Sequence, residues 1–295
     1  MYTLQRIMES PYFYNRKGHT AVAEGNLEKA LDAFKQASSM DPDNISYLDS
    51  IIWTIEKLGR YSEALQYYDK LISLQPRNTD FRLRKIDCLR KIGMLNAALD
   101  AYNEVIDIDP YDPELYWKKA DFLRDHENIE GALLSCSEAV RLNPENPTYR
   151  MGRAEILASI DKFEEAQSDY NYLVDHDPTN PEIRYDRVKV LEKLGLGDKA
   201  LEDMLTISKL RPNDQIWLQI VAEFLEESGY AEEALTKYTR LIELNPTKAE
   251  FYFFRANLLE SLGRKQESLV DFQKAIELDP HNKLYRNHSR LSPTE

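Results

Sequence analysis

Cysteine, basic charge and long apolar runs are all in short supply in this sequence, and each shortage excludes something. Two cysteines in 295 residues cannot frame a disulfide scaffold or a multi-cysteine zinc module. No stretch approaches the roughly 18 uncharged apolar residues of a membrane-spanning helix. The opening MYTLQRIMESPYFYNRKGH has no apolar core of a secretory leader. Lys and Arg number 38 against 51 Asp and Glu, a formal net charge of −13, which disfavours non-specific binding to nucleic acid or to an anionic membrane surface. What is present suffices for a core: 42% of residues are hydrophobic and 11% aromatic, so the chain is not disordered. The expectation is a soluble, acidic, cytoplasmic protein with no membrane insertion.

The prolines carry the organisation. Pro42, Pro76, Pro110, Pro144, Pro178, Pro212, Pro246 and Pro280 recur at a constant interval of 34 residues. With each proline at position 32, the periods start at residues 11, 45, 79, 113, 147, 181, 215 and 249. Residues 1–10 form a lead-in, 11–282 the eight repeats and 283–295 a partial capping segment. Position 20 is Ala30, Ala64, Ala98, Ala132, Ala166, Ala200 and Ala234, then Ser268, as a close helix crossing requires. Position 24 holds a bulky apolar anchor, from Phe34 to Phe272. Apolar residues at positions 8 and 11, and again at 27, 28 and 30, follow a period of about 3.6 residues. Glycine at position 15 closes a first helix through positive φ. Position 18 carries caps or acids suited to the start of a second helix, and the proline ends that helix. Each period is read as two antiparallel helices.

These positions resemble the tetratricopeptide repeat, a 34-residue helix–turn–helix unit; the resemblance covers residues 11–282. It implies an all-α, right-handed superhelical solenoid of eight repeats, about one full turn, with the first helices lining the inside. Positions 2, 5, 9, 12 and 13 are then expected to face a concave groove. The sequence departs from the family pattern locally. Glu127 and Asp161 replace the turn glycine in repeats 4 and 5, so those turns are expected to differ. Arg82, Arg150 and Arg184 take the place of the large apolar residue at position 4 in repeats 3, 5 and 6.

Enzyme-like strings fail on context, so no catalytic residue, metal or cofactor is assigned and the chain is read as non-enzymatic. Gly195-Leu-Gly197-Asp-Lys-Ala200 fits a dinucleotide fingerprint but joins two helices, where a strand should precede it. His126-Glu127 lacks the second histidine of a zinc protease. Cys136 replaces a core aromatic and, with Cys88, is read as a small buried hydrophobe. His176 is expected to be a hydrogen-bonded histidine at the core edge. Position 7 is basic in six repeats, and position 23 is Asp only in repeats 5, 6 and 8, the three repeats with arginine at position 7. Pairs Arg153–Asp169, Arg187–Asp203 and Arg255–Asp271 are therefore expected to tie first helix to second.

A functional reading survives in the expected groove. Its positions carry fifteen acids against six bases, with large aromatics set among them. The candidate partner-binding residues are Asp49, Trp53, Asp87, Trp117, Asp121, Glu155, Tyr185, Glu223 and Phe253. Aromatic anchors rimmed by charge are typical of peptide-binding surfaces. Trp117, near the middle of the array, is the expected central anchor. The family's clamp for a chaperone C-terminal carboxylate is absent, since position 5 is never Lys and position 2 offers no base. The sequence therefore points to an interaction scaffold that holds a basic, extended protein or peptide segment and does not bind nucleic acid. The alternative is a structural scaffold that homo-oligomerises through its solenoid ends.

Overall fold

A computed structural model describes residues 10–288. Among them seventeen helices follow one another. In the first unit these are α1 (Pro11–Ala23), α2 (Leu27–Met40), α3 (Ile45–Lys57), α4 (Tyr61–Leu74), α5 (Thr79–Lys91), α6 (Leu95–Ile108), α7 (Pro113–Asp125) and α8 (Ile129–Leu142). The second unit holds α9 (Pro147–Ser159), α10 (Phe163–His176), α11 (Pro181–Lys193), α12 (Gly197–Leu210), α13 (Gln215–Glu227), α14 (Ala231–Leu244), α15 (Ala249–Ser261), α16 (Lys265–Leu278) and the short α17 (Lys283–His288). The two compact units, residues 1–144 and 145–295, meet in sequence at the proline that ends the fourth helix pair. Among the described residues no helix is long and apolar enough to cross a membrane.

The same small set of residues builds each pair. All seven position-20 alanines are fully buried and Ser268 nearly so, which lets the two helices of a pair approach closely. The position-24 side chains Phe34, Tyr68, Tyr102, Cys136, Tyr170, Met204, Tyr238 and Phe272 are likewise covered. Starts of the first helices are set one residue earlier than the period, at position 34. Asn44, Asn78, Asp112, Asn146, Asn180 and Asp214 there accept hydrogen bonds from backbone N–H groups of the following turn, and Ser10 does the same for α1. Such caps stabilise a helix by about 1 kcal/mol each. Second helices are capped at position 16, not 18; only Asn26 and Asn128 do so through a side chain. The position-18 acids Glu28, Glu130, Glu164, Asp198 and Glu232 instead sit in the first turn, where the helix dipole favours them.

The glycine-free turns differ as expected one residue before the turn position, where His126 and Ile160 N–H donate to Leu123 and Leu157 three residues back at 3.3 Å, whereas Glu24 and Leu58 donate four residues back. The turn position itself is kept. Glu127 and Asp161 both adopt φ 60°, the left-handed conformation that the position-15 glycines adopt. The bond from Asn128 N–H to the Leu123 carbonyl, 2.9 Å, matches that from Asn26 N–H to Ala21. Closing the helix with this hydrogen-bond pattern outweighs the steric cost of a Cβ there.

Arg82 and Arg184, at position 4, use equivalent acceptors. Arg82 donates to the Pro76 carbonyl at 2.6 Å and Arg184 to that of Pro178 at 2.9 Å. Tyr116 and Tyr252 reach the equivalent carbonyls of Pro110 and Pro246 at 3.3 and 3.2 Å. Both side-chain types thus cap the end of the preceding helix pair.

In the second unit the expected ion pairs form with two contacts each. Arg153 holds Asp169 at 2.7 and 2.7 Å, Arg187 holds Asp203 at 2.8 and 2.7 Å, and Arg255 holds Asp271 at 2.7 and 2.8 Å. Arg150 and Arg184 add second arginines to Asp169 and Asp203. The three aspartates are buried.

Short α17 covers part of the last pair. Tyr285 is buried beside Phe253 and Phe272, its ring 4.8 Å from that of Phe253, while Leu284 stays 53% exposed. Residues 289–295 of the expected partial capping segment lie outside the described residues.

Candidate functional site

The candidate residues lie on first helices, and the two units use them differently. In the first unit Trp53 is 41% exposed on α3. It lines a hollow of about 270 Å³ with His19, Val22, Phe34, Asp49 and Ser50. Asp49 accepts a 2.6 Å bond from Arg84 of the next repeat. The Arg84 guanidinium lies 5.5 Å from the Tyr68 ring, and the Tyr68 hydroxyl donates to Glu56 at 2.6 Å. Burial, reinforced by that carboxylate, pushes the Tyr68 hydroxyl far above the ordinary tyrosine range.

Asp87 and Asp121 come together in a second hollow of about 140 Å³, with Leu83, Arg90, Tyr102 and Lys118. Arg124 donates to Asp121 at 2.7 Å and Arg90 to Asp125 at 3.3 Å. Arg90 and Lys118 match in number the two acids that line this hollow. Trp117 on α7 is half-buried.

In the second unit Tyr185 on α11 meets Trp217 on α13 edge to face, ring centroids 5.7 Å apart. Lys189 stands 4.4 Å over the Tyr185 ring and bonds Asp186 at 2.9 Å. Glu155 is exposed on α9. Glu223 accepts from Gln219 at 2.9 Å, and Glu226 from the Tyr238 hydroxyl at 2.9 Å. First-helix positions 2, 5, 9, 12 and 13 carry seven acids and four bases in the first unit, but eight acids and two bases in the second.

Phe253 is not a groove anchor. It is only 7% exposed, packed between Phe272 and Tyr285, because α17 lies where a following repeat would begin. Ile216, at position 2 of repeat 7, is 71% exposed and was missed, since an acid stands there in four other repeats. His176 is exposed, stacked 6.1 Å from Tyr172, and so lies outside the core edge. Its neighbours at the end of α10 leave that position open to solvent.

The remaining motifs settle into structural roles. Gly195 closes α11 with φ 70° and Gly197 opens α12, so the fingerprint-like string joins two helices. Cys88 and Cys136 are both buried and unpaired with each other. The Cys88 thiol donates to the Tyr61 carbonyl at 3.0 Å, and burial pushes it up to about 11, the reverse of an activated nucleophile.

Four sequence profiles, each described as tetratricopeptide repeat, match residues 11–44, 57–121, 118–181 and 249–282. Among curated proteins none matches. In fold the chain is similar to YrrB, a TPR protein with an unusual peptide-binding site, at 21% identity and TM-score 0.50 over 65% of this chain and 99% of that one. It is similar also to a chain in the structure of Naa15/Naa10 bound to HypK-THB, at 15% identity and TM-score 0.55 over 97% of this chain and 56% of that one. A tetratricopeptide repeat protein from Parabacteroides merdae ATCC 43184 aligns at 18% identity and TM-score 0.48, over 95% and 98% of the two chains. Identities at this level speak to fold alone. Repeat register, buried alanine and aromatic positions, and four matching profiles together place this chain in the tetratricopeptide repeat family.

Proposed function

We propose that the protein is a non-enzymatic interaction scaffold that holds an extended, basic segment of a partner protein against its first helices. The observation that carries this reading is the exposure of Trp53 and Ile216, 41% and 71%, among charged first-helix positions. Solvation alone gives no reason to place large apolar side chains there. Selection for Lys or Arg on the ligand belongs mainly to the second unit, where Glu155, Glu223 and their neighbours outnumber bases. In the first unit Arg84 and Arg124 already engage Asp49 and Asp121. Selection from a random displayed peptide library tests the proposal. Recovered segments should carry Lys or Arg with a large apolar residue, and binding should weaken with salt. Recovery of acidic segments, or none, would sink it.

A second reading, self-association through repeat 8, has its own observation. Leu269 is 41% exposed where Leu235, one repeat earlier, is 8% exposed, and its neighbour Val270 is 69% exposed. A mass in solution that rises with concentration, and falls back in Val270→Glu, would favour it.

A further inference from the structure

The hollow of repeats 1 and 2 lies beside a small residue. Position 6 is Ser50 in repeat 2, where repeat 3 has Arg84 and repeat 4 has Lys118. Arg84 reaches back to Asp49 of the preceding repeat. Ser50 instead donates to the Ser46 carbonyl of its own helix at 2.9 Å and leaves the space beside repeat 1 open. That space is lined by His19, Val22, Phe34 and Trp53, with Asp49. The rings of His19 and Phe34 meet edge to face at 5.0 Å.

We propose that this hollow is a subsite for a single aromatic side chain of a partner segment, a refinement that rests on the interaction reading above. At about 270 Å³ it falls below the roughly 300–1,000 Å³ of small-molecule sites and suits one side chain. A lysine or arginine is the less favoured occupant. The two features that draw a cation are already in use: Lys57 Nζ stands 5.7 Å from the Trp53 ring, and Arg84 holds Asp49. A second cation would meet both of these like charges. An aromatic ring instead finds edges and faces in His19, Phe34 and Trp53.

The test titrates N-acetyl-phenylalaninamide, N-acetyl-leucinamide and N-acetyl-lysinamide into the isotope-labelled full chain, following the three tryptophan indole N–H signals by NMR. The phenylalanine amide should shift the Trp53 indole saturably, and the other two should bind about tenfold more weakly or less. Ser50→Arg installs at repeat 2 the residue that repeat 3 already carries, so the fold tolerates it. It should weaken the phenylalanine amide by about tenfold or more while the Trp217 indole signal and the helical circular dichroism stay unchanged. Equal binding by the lysine or leucine amide, absence of a saturable shift, or full binding by Ser50→Arg would each overturn the subsite. A library-selected segment that binds the parent and Ser50→Arg equally well would remove this subsite and leave the scaffold reading intact. An empty selection with a positive amide titration would do the reverse.

Discussion

The two four-repeat units share one backbone plan yet tie their helices together with different chemistry. In the second unit, position 23 is a buried aspartate in three repeats, and arginines from the first helix close on it within 2.8 Å. In the first unit the same position is Ala33, Tyr67, Ala101 or Ser135. The lysines at position 7 there reach the preceding repeat instead, Lys85 to Asp69 and Lys119 to Asn103, both at 2.7 Å. Repeat 3 therefore keeps Arg82 and Lys85 without any buried carboxylate, whereas repeat 6 keeps Arg184 and Arg187 around Asp203. The backbone register accepts either solution. What differs is the penalty for disturbing it, because a buried charge left unpaired is far more costly than a solvated one.

The largest effect should be the one both units share. Tyr68→Ala and Tyr170→Ala each remove a covered ring and should cost about 3–5 kcal/mol, while replacement of exposed Glu165 should stay within about 0.5 kcal/mol. Denaturant unfolding reads all three, and a mild Tyr68→Ala beside a severe Tyr170→Ala would show that the two cores are not equivalent. Next comes the contrast itself. Loss of both arginines on Asp203, Arg184→Ala with Arg187→Ala, should cost about 3 kcal/mol or more, and Lys85→Ala below about 1 kcal/mol. The double change Arg187→Lys with Asp203→Ala gives repeat 6 the residues of repeat 3 at these positions and should recover to within about 1 kcal/mol of the parent. Additive losses in that double variant would refute the claim that the two solutions are interchangeable.

Smaller still is the turn effect. Glu127→Gly in the first unit and Asp161→Gly in the second should each stabilise the chain by about 0.5–1 kcal/mol. The gain is the left-handed penalty of roughly 1–2 kcal/mol less the added freedom of glycine in the unfolded chain, about 0.4–1 kcal/mol. Destabilisation at either site would mean that its side chain contributes more than the turn loses.

Alkaline pH should act on both units alike and leave neutral stability untouched. Burial, then a carboxylate hydrogen bond, raises Tyr68 in one unit and Tyr238 in the other above the ordinary value of 10.0. Past that pH the unfolded chain releases protons that the native chain retains, so stability falls as pH rises. Tyr68→Phe and Tyr238→Phe should flatten that fall to a similar degree in pH-dependent unfolding.

The helix pairs could be read from the chain because each period repeats the same steric demands: alanine at a close crossing, an aromatic one turn later, proline at the stop. The arginine–aspartate ties were legible for the same reason, as two residue types that occur in the same three repeats. Other features depend on what neighbours supply. Whether Asp49 and Asp121 remain available is decided by Arg84 and Arg124, residues outside the candidate set. Phe253 is hidden by Tyr285 of the expected capping segment, a contact that the first-helix positions of the period do not show by themselves. The hollow at Trp53 lies beside Ser50, at a position that varies from Gly152 to Arg84 and Phe254 along the chain and so carries no periodic signal.

The fixed register also governs how the protein can be made. Arg84 to Asp49 and Arg90 to Asp125 each bridge 35 residues, and the ties within a pair bridge 16. Each bond closes within about one period of chain. At a translation rate of roughly 5–20 residues per second, a nascent chain receives the partners for a completed helix pair within seconds of that pair's emergence. Local contacts of this kind favour fast folding. Within each unit, successive pairs can therefore dock in the order in which the ribosome delivers them.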